Sequence, residues 1–171
     1  RRQRQMCIRD RFPGKPLGLK PIYSEGVFVG YRWYVANNQI PLFPFGYGLS
    51  YTTFAYGTLR LYKTSGAKNA PIKVTFTVTN TGKRAGATVP QIYIGKPSQQ
   101  GIPVPPKELA GFRKIYLCPG ETKTVTITVE PRQLAYWNTQ ADRFVVMPGL
   151  YRIYLGSNVN NTPSMVTYTV R

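Results

Sequence analysis

From Thr58 onward the chain alternates apolar and polar residues with a period of two, the pattern of strands that bury one face and wet the other. The clearest run is Ile72, Val74, Phe76 and Val78, interleaved with Lys73, Thr75 and Thr77. Shorter runs follow the same rule: Leu59 and Leu61; Val89, Ile92 and Ile94 within 87–94; Phe112, Ile115 and Leu117 within 111–117; Val125, Ile127 and Val129 within 123–129; Leu150, Ile153 and Leu155 within 150–155; and a last run over 165–170. Turn signals separate them at Asn80-Thr81-Gly82, Gly95-Lys96-Pro97, Pro119-Gly120 and Pro148-Gly149. Seven strands over roughly 110 residues, with a turn about every ten, predict an all-β, two-sheet sandwich.

Before Thr58 the pattern changes. Residues 1–11, RRQRQMCIRDR, have neither helical nor strand periodicity, so they read as a disordered basic arm or as a stretch joined in error. Residues 12–21 carry Pro13, Gly14, Pro16, Gly18 and Pro21, an extended connector with no place for a helix or a central strand. Val27-Phe28-Val29 and Tyr31-Arg32-Trp33-Tyr34 read as strand-like around Gly30, with a turn at Asn37-Asn38. That segment is too apolar to stand alone.

Composition narrows the chemistry. Aromatics make up 13% of the chain, and Thr, Val and Tyr crowd its second half, as in strands. With 23 basic and 6 acidic residues the net charge is +17, a balance suited to nucleic acid, an anionic surface or an acidic polysaccharide. Residues 1–20 hold seven Lys/Arg against Asp10 alone, while the rest are scattered singly in the manner of solvated faces. No basic motif with interleaved aromatics appears, so no nucleic acid is expected. Cys7 and Cys118 lack the spacing of a zinc site and read as free thiols; without a cysteine pair, the sandwich is of fibronectin type III rather than antibody kind. The chain has no histidine, which removes the usual base of a Ser or Cys triad and the commonest metal ligand. Neither cofactor nor metal is expected. There is no run of 18 apolar residues, and Asn160-Asn161-Thr162 fits the glycosylation acceptor pattern.

The carboxylates are Asp10, Glu25, Glu108, Glu121, Glu130 and Asp142. A retaining glycosidase needs two of them about 5 to 5.5 Å apart. Asp10 lies in the arm, Glu121 follows a Pro-Gly turn, Glu130 precedes Pro131 and Asp142 opens a strand, so each has a structural explanation. Glu25 and Glu108 are expected to bind backbone N–H groups or a neighbouring Lys or Arg, with Glu25 the candidate partner of Arg32.

Two motifs carry a resemblance. YSEGVFVGYRWY at 23–34 and FPFGYGLSYT at 43–52, with Gly46 and Gly48 flanking Tyr47, resemble the C-terminal region of glycoside hydrolase family 3 enzymes, the β-glucosidases and related exo-acting glycosidases. VTNTGKRAGATVPQIYIG at 78–95, PPKELAGFRKIYLCPGETKTVTITV at 105–129, PRQLAYWN at 131–138 and PGLYRIYLGS at 148–157 resemble, in order and spacing, that family's terminal fibronectin type III-like domain. The resemblance covers about residues 22–171. Val35, Gln133 and Asn138 stand where the family often has acidic residues.

The resemblance implies a division of labour. The family's nucleophilic Asp belongs to an N-terminal barrel domain and its acid/base Glu to a middle α/β domain, so both would precede residue 1. Residues 22–56 would then be the remnant of that α/β domain and its linker, and 57–171 the seven-stranded fibronectin type III-like sandwich. The expected partners are the upstream catalytic domains of the same parent, and through them a β-glucoside or oligosaccharide substrate; a secreted or periplasmic setting follows from the same resemblance. The chain alone would be catalytically incompetent. Glu25, Arg32, Trp33 and Tyr47 are the residues expected nearest substrate in the parent, although packing explains Trp33, Tyr34, Tyr47 and Trp137 equally. The alternative is a free-standing basic β-sandwich that binds anionic glycans or nucleic acid.

Overall fold

The computed structural model describes residues 25–98 and 101–171; the basic arm 1–11 and the connector 12–21 lie outside the described residues. The elements run α1 (Tyr31–Ala36), β1 (Phe54–Tyr56), β2 (Arg60–Leu61), β3 (Ser65–Gly66), β4 (Ile72–Asn80), β5 (Gly86–Thr88), β6 (Gln91–Gly95), β7 (Glu108–Phe112), β8 (Ile115–Leu117) and β9 (Thr122–Val129), then α2 (Pro131–Leu134), β10 (Ala135–Asn138), β11 (Arg143–Val146), β12 (Gly149–Gly156) and β13 (Ser164–Val170). In one main sheet β4 pairs with β9 on one edge and with β1 and β2 in turn on the other. The second sheet runs β3-β13-β12-β6-β7, with β3 parallel to β13 and the rest antiparallel. This is the all-β, fibronectin type III-like sandwich that the alternation predicts.

The core sits between the sheets because the inward positions of β4, β9, β6 and β12 are aliphatic or aromatic. Ile72, Val74, Phe76 and Val78 face Ile92, Ile94, Ile153 and Leu155 in one buried cluster. The outward face of β4 and β9 is lined by threonines, whose hydroxyls pair across the strands at Thr75–Thr126 (3.2 Å) and Thr79–Thr122 (2.8 Å). The polar side chain of Asn80, inside the sandwich, is matched. Asn80, fully buried, accepts from the Thr52 hydroxyl (2.8 Å) and the Gly82 amide (3.0 Å), and its side-chain NH₂ donates to Arg84 O (2.8 Å) and Leu117 O (3.1 Å).

Several expectations are corrected. Tyr31–Ala36 is a helix, not a strand. A strand needs a neighbour for its ladder, whereas a helical turn closes its bonds locally, here Asn37 N to Trp33 O (3.0 Å), and β propensity yields to that difference. The turn at Asn37-Asn38 is present, with Asn38 at φ 53°. The runs at 87–94 and 111–117 each divide, because Pro90 has no N–H to give a ladder and the chain breaks again at Arg113-Lys114; β5 then pairs with β8, and β6 with β7. In β12 the buried parity is Tyr151, Ile153 and Leu155, so Leu150 is half exposed, and Phe112 also faces outward. The Tyr151 hydroxyl finds Met147 O at 2.8 Å, which allows the larger ring to take the inner slot. In the β10–β11 hairpin, β11 is the strand expected to open at Asp142, while β10 has no counterpart among the expected strands; the Asn138 carboxamide oxygen builds the turn by accepting the amides of Gln140 and Ala141, both at 3.0 Å.

Replacing Asn80 by Ala strands Leu117 O and Arg84 O without a donor, and a loss of about 3 kcal/mol is expected. For a chain of this size that is a fall in melting temperature of roughly 6–12 °C, readable by calorimetry. Alkaline pH gives a second measure. Burial raises the phenols of Tyr93 and Tyr151 above the ordinary 10.0, Tyr151 to about 12. Their folded-state values exceed the unfolded ones, so this stability is fully present below pH 10 and is lost as pH rises toward 12. Melting temperature should fall steadily over that window, with part of the phenolate absorbance appearing only on unfolding.

Candidate functional site

Residues 25–51 carry most of the expected site, and the structure ties their middle to one edge of the sandwich. The loop after Pro41 turns at Pro44, whose carbonyl accepts Tyr47 N at 3.0 Å. Gly46 lies at φ 84°, and a Cβ there would overlap the Gln91 carboxamide, so the close approach requires glycine. Gln91 Nε2 donates to Gly46 O (3.0 Å) and Ser157 O (2.8 Å), the Val159 amide donates to Phe45 O (3.0 Å), and the buried Tyr93 hydroxyl donates to Gln91 Oε1.

A second clamp holds α1. The Tyr31 ring stacks on Phe45 with centroids 4.2 Å apart, and its hydroxyl accepts the Leu109 amide at 2.9 Å. Burial raises the Tyr31 phenol above its usual value, with the Leu109 amide and Arg32 opposing. Arg32 reaches Glu108 Oε1 at 3.1 Å, and Lys96 Nζ lies 2.7 Å from Glu108 Oε2. The side chains of Lys96 and Glu108 are only 9% and 19% exposed. Lys96 also donates to Ala135 O at 2.6 Å, carrying the contact to the start of β10.

The four residues expected nearest substrate are therefore treated unequally. Arg32 is fixed by Glu108, not by Glu25; β7 brings Glu108 to α1 from 76 residues away, beyond the reach of local spacing. Glu25 supplies its carbonyl to Phe28 N at 3.0 Å and its side chain forms no ion pair among the described residues. Trp33 is half-buried, edge-on to Tyr34 at 5.4 Å. Tyr47 is exposed and tilted against Phe43 at 5.7 Å. The anchors that sequence reasoning missed are Gln91 and Lys96; the one usable signal for Gln91 is a lone polar residue heading the apolar run Ile92-Tyr93-Ile94. Glu108 takes the expected role of partner to neighbouring Arg and Lys. No group of three or more Cys, Asp or Glu that could hold a metal occurs among the described residues.

Around these clamps the segment presents apolar side chains outward. Ile40, Leu42, Phe43, Leu49 and Tyr51 are between 64% and 93% exposed. Held backbone with wet apolar side chains is the signature of a surface made for contact.

Comparison with known proteins matches residues 88–159 to the fibronectin type III-like domain. Thermostable beta-glucosidase B of Acetivibrio thermocellus is 44% identical over 145 residues, covering 85% of this chain and 19% of that protein. Beta-glucosidase BoGH3A of Bacteroides ovatus is 37% identical over 92% of this chain and 21% of its own. Among solved structures, DesR, a beta-glucosidase from Streptomyces venezuelae in complex with D-glucose, superposes with a TM-score of 0.82 at 37% identity, over 92% of this chain and 20% of that one. The chain thus spans about a fifth of the length of the curated relatives it matches.

Replacing Glu108 by Gln leaves Arg32 and Lys96 half-buried beside each other without their counter-charge. A loss of about 3 kcal/mol is expected, against under about 1 kcal/mol for the more exposed Arg32→Ala. Denaturant unfolding of the two variants and of the double variant measures the coupling.

Proposed function

The chain belongs to the glycoside hydrolase family 3 β-glucosidases, matching their C-terminal, fibronectin type III-like portion, and from that premise we propose that it is the structural end of such an enzyme. The parent would be a retaining exo-β-glycosidase that hydrolyses O-glycosidic bonds, with its nucleophile and acid/base carboxylates on preceding domains. Residues 22–56 are the end of the α/β domain and its linker, and 57–171 the fibronectin type III-like domain, with β1 of the linker already paired to β4. The chain performs no hydrolysis alone.

One observation carries this reading. The loop at 43–47 is clamped by Gln91 and the Val159 amide, yet its flanks expose Ile40, Leu42, Leu49 and Tyr51. A rigid apolar surface costs free energy in water unless something covers it, and the relatives' remaining four-fifths is the natural cover. Glu25, Arg32, Trp33 and Tyr47 belong to the same segment, and Arg32 Nε is buried with no hydrogen-bond partner among the described residues. On this reading they face the active-site side of the interface.

The test is complementation. The purified chain should release no aglycone from an aryl β-glucoside above a boiled control. Mixed with the Acetivibrio relative truncated of its matching fifth, it should restore activity. Leu42→Asp with Leu49→Asp should cut that restoration at least tenfold without lowering the chain's own melting temperature, because both side chains are already in water. Hydrolysis by the chain alone, or restoration indifferent to the aspartates, would refute the proposal.

A further inference from the structure

A cleft of about 350 Å³ lies where β2, β3 and the start of β4 meet β13, away from the clamped segment. Its walls include Tyr62, Lys63, Ser65, Gly66, Lys73 and Tyr168. The Tyr168 ring is buried, the residue being 3% exposed, and its hydroxyl makes no hydrogen bond among the described residues and opens on the cleft. A hydroxyl with no protein partner at the wall of a cleft is free to donate to, or accept from, a bound molecule in place of water. Gly66 makes room for it, since a Cβ at that position would overlap the Tyr168 hydroxyl.

The charge of the cleft is one-sided. Lys63 and Lys73 both line it, neither forms an ion pair among the described residues, and no carboxylate lines it. Both ammonium groups are on exposed residues, and with no carboxylate beside them the local potential favours an anion over a neutral or cationic ligand. A bare inorganic ion would leave most of the volume empty and the Tyr62 ring, 79% exposed, without a role. A pyranose uses all of it: its apolar face packs on Tyr62, its hydroxyls meet Tyr168 and Ser65, and a carboxylate on the ring reaches the lysines. The volume is at the lower end of small-molecule sites, about 300–1,000 Å³, and suits one or two sugar rings. We propose that this cleft binds a carboxylate-bearing sugar, a hexuronic acid residue at the end of an acidic glycan.

The full chain, isotopically labelled, is titrated with D-glucuronate, D-glucose and inorganic phosphate at low ionic strength, following backbone amides by NMR. Glucuronate should give saturable shifts centred on Gly66, Ala67 and Lys73 that weaken as salt is raised. Glucose and phosphate should each bind at least tenfold more weakly. The double variant Lys63→Ala, Lys73→Ala should weaken glucuronate at least tenfold, and Tyr168→Phe about three- to tenfold, with melting temperatures unchanged for the lysine variant. Equal affinity for glucose would overturn the role of the charge, and equal affinity for phosphate would overturn the sugar. Glucuronate shifts spread over lysines outside the cleft, or affinity unchanged in the double variant, would overturn the site.

Discussion

Glu108 lies between Arg32 of α1 and Lys96 just beyond β6, and the placement of residues 25–51 depends on that carboxylate. α1 has six residues and buries none of them, far short of the length at which a helix is stable by itself. Its position must therefore come from contacts outside the helix. Removing two cations and a carboxylate from water is costly, and the arrangement is favourable only because Oε1 and Oε2 each meet a different cation at close range. Lys96 adds a bond to Ala135 O, so the same group of charges links α1, β7 and the base of the β10–β11 hairpin. The neutral contacts, Tyr31 against Phe45 and Gln91 beneath Gly46, then set the angle at which the loop leaves the sandwich.

How much of this could be read from the sequence depends on the range of the interaction. The core parity of β4 and β9 is written in strict alternation, because each residue's face is decided by its two neighbours. The identity of the element at Tyr31–Ala36 is not, since Tyr, Trp and Val favour strands only where another strand offers a ladder. Leu150 and Tyr151 show the same limit at one position: both are apolar enough for the core, and the choice is made by Met147 O, which can accept the phenol. Arg32 could be read as needing a carboxylate. Choosing Glu108 over Glu25 requires the register of β7 on β6, which follows from a bulge between Ile92 and Tyr93 that no spacing rule reveals. Of the site, Arg32 and the Gly46 turn were legible, while their anchors were not.

The net charge of +17 acquires a structural meaning once the acids are placed. Glu108 is enclosed by two cations, and Glu121 is engaged with Lys123 at 3.0 Å and the Cys118 amide at 2.7 Å. The Cys118 amide, more than Lys123, holds the Glu121 carboxyl below its usual value. With these carboxylates committed to turns and clamps, most of the described lysines and arginines form no ion pair among the described residues. Positive potential then persists wherever several of them converge on a concavity, and scattered cations elsewhere remain solvated and inert.

The two surfaces sit at opposite ends of one hairpin. Ser65 and Gly66 pair with Thr169 and Val170, beside Gly149 at the start of β12; Gln91 pairs with Gly156 at its end, next to the Ser157 carbonyl that anchors the clamp. Seven residues at about 3.3 Å each separate these ends by roughly 23 Å along the strand. That distance exceeds the Debye length at physiological salt, about 8 Å, so charge bound at one end is not felt as a field at the other. Between them lies a close-packed core with Ile153 and Leu155 at full burial, which moves as one body if it moves at all. Any coupling between the apolar segment and the basic cleft would therefore have to pass through that packed core, since the screened field does not carry it.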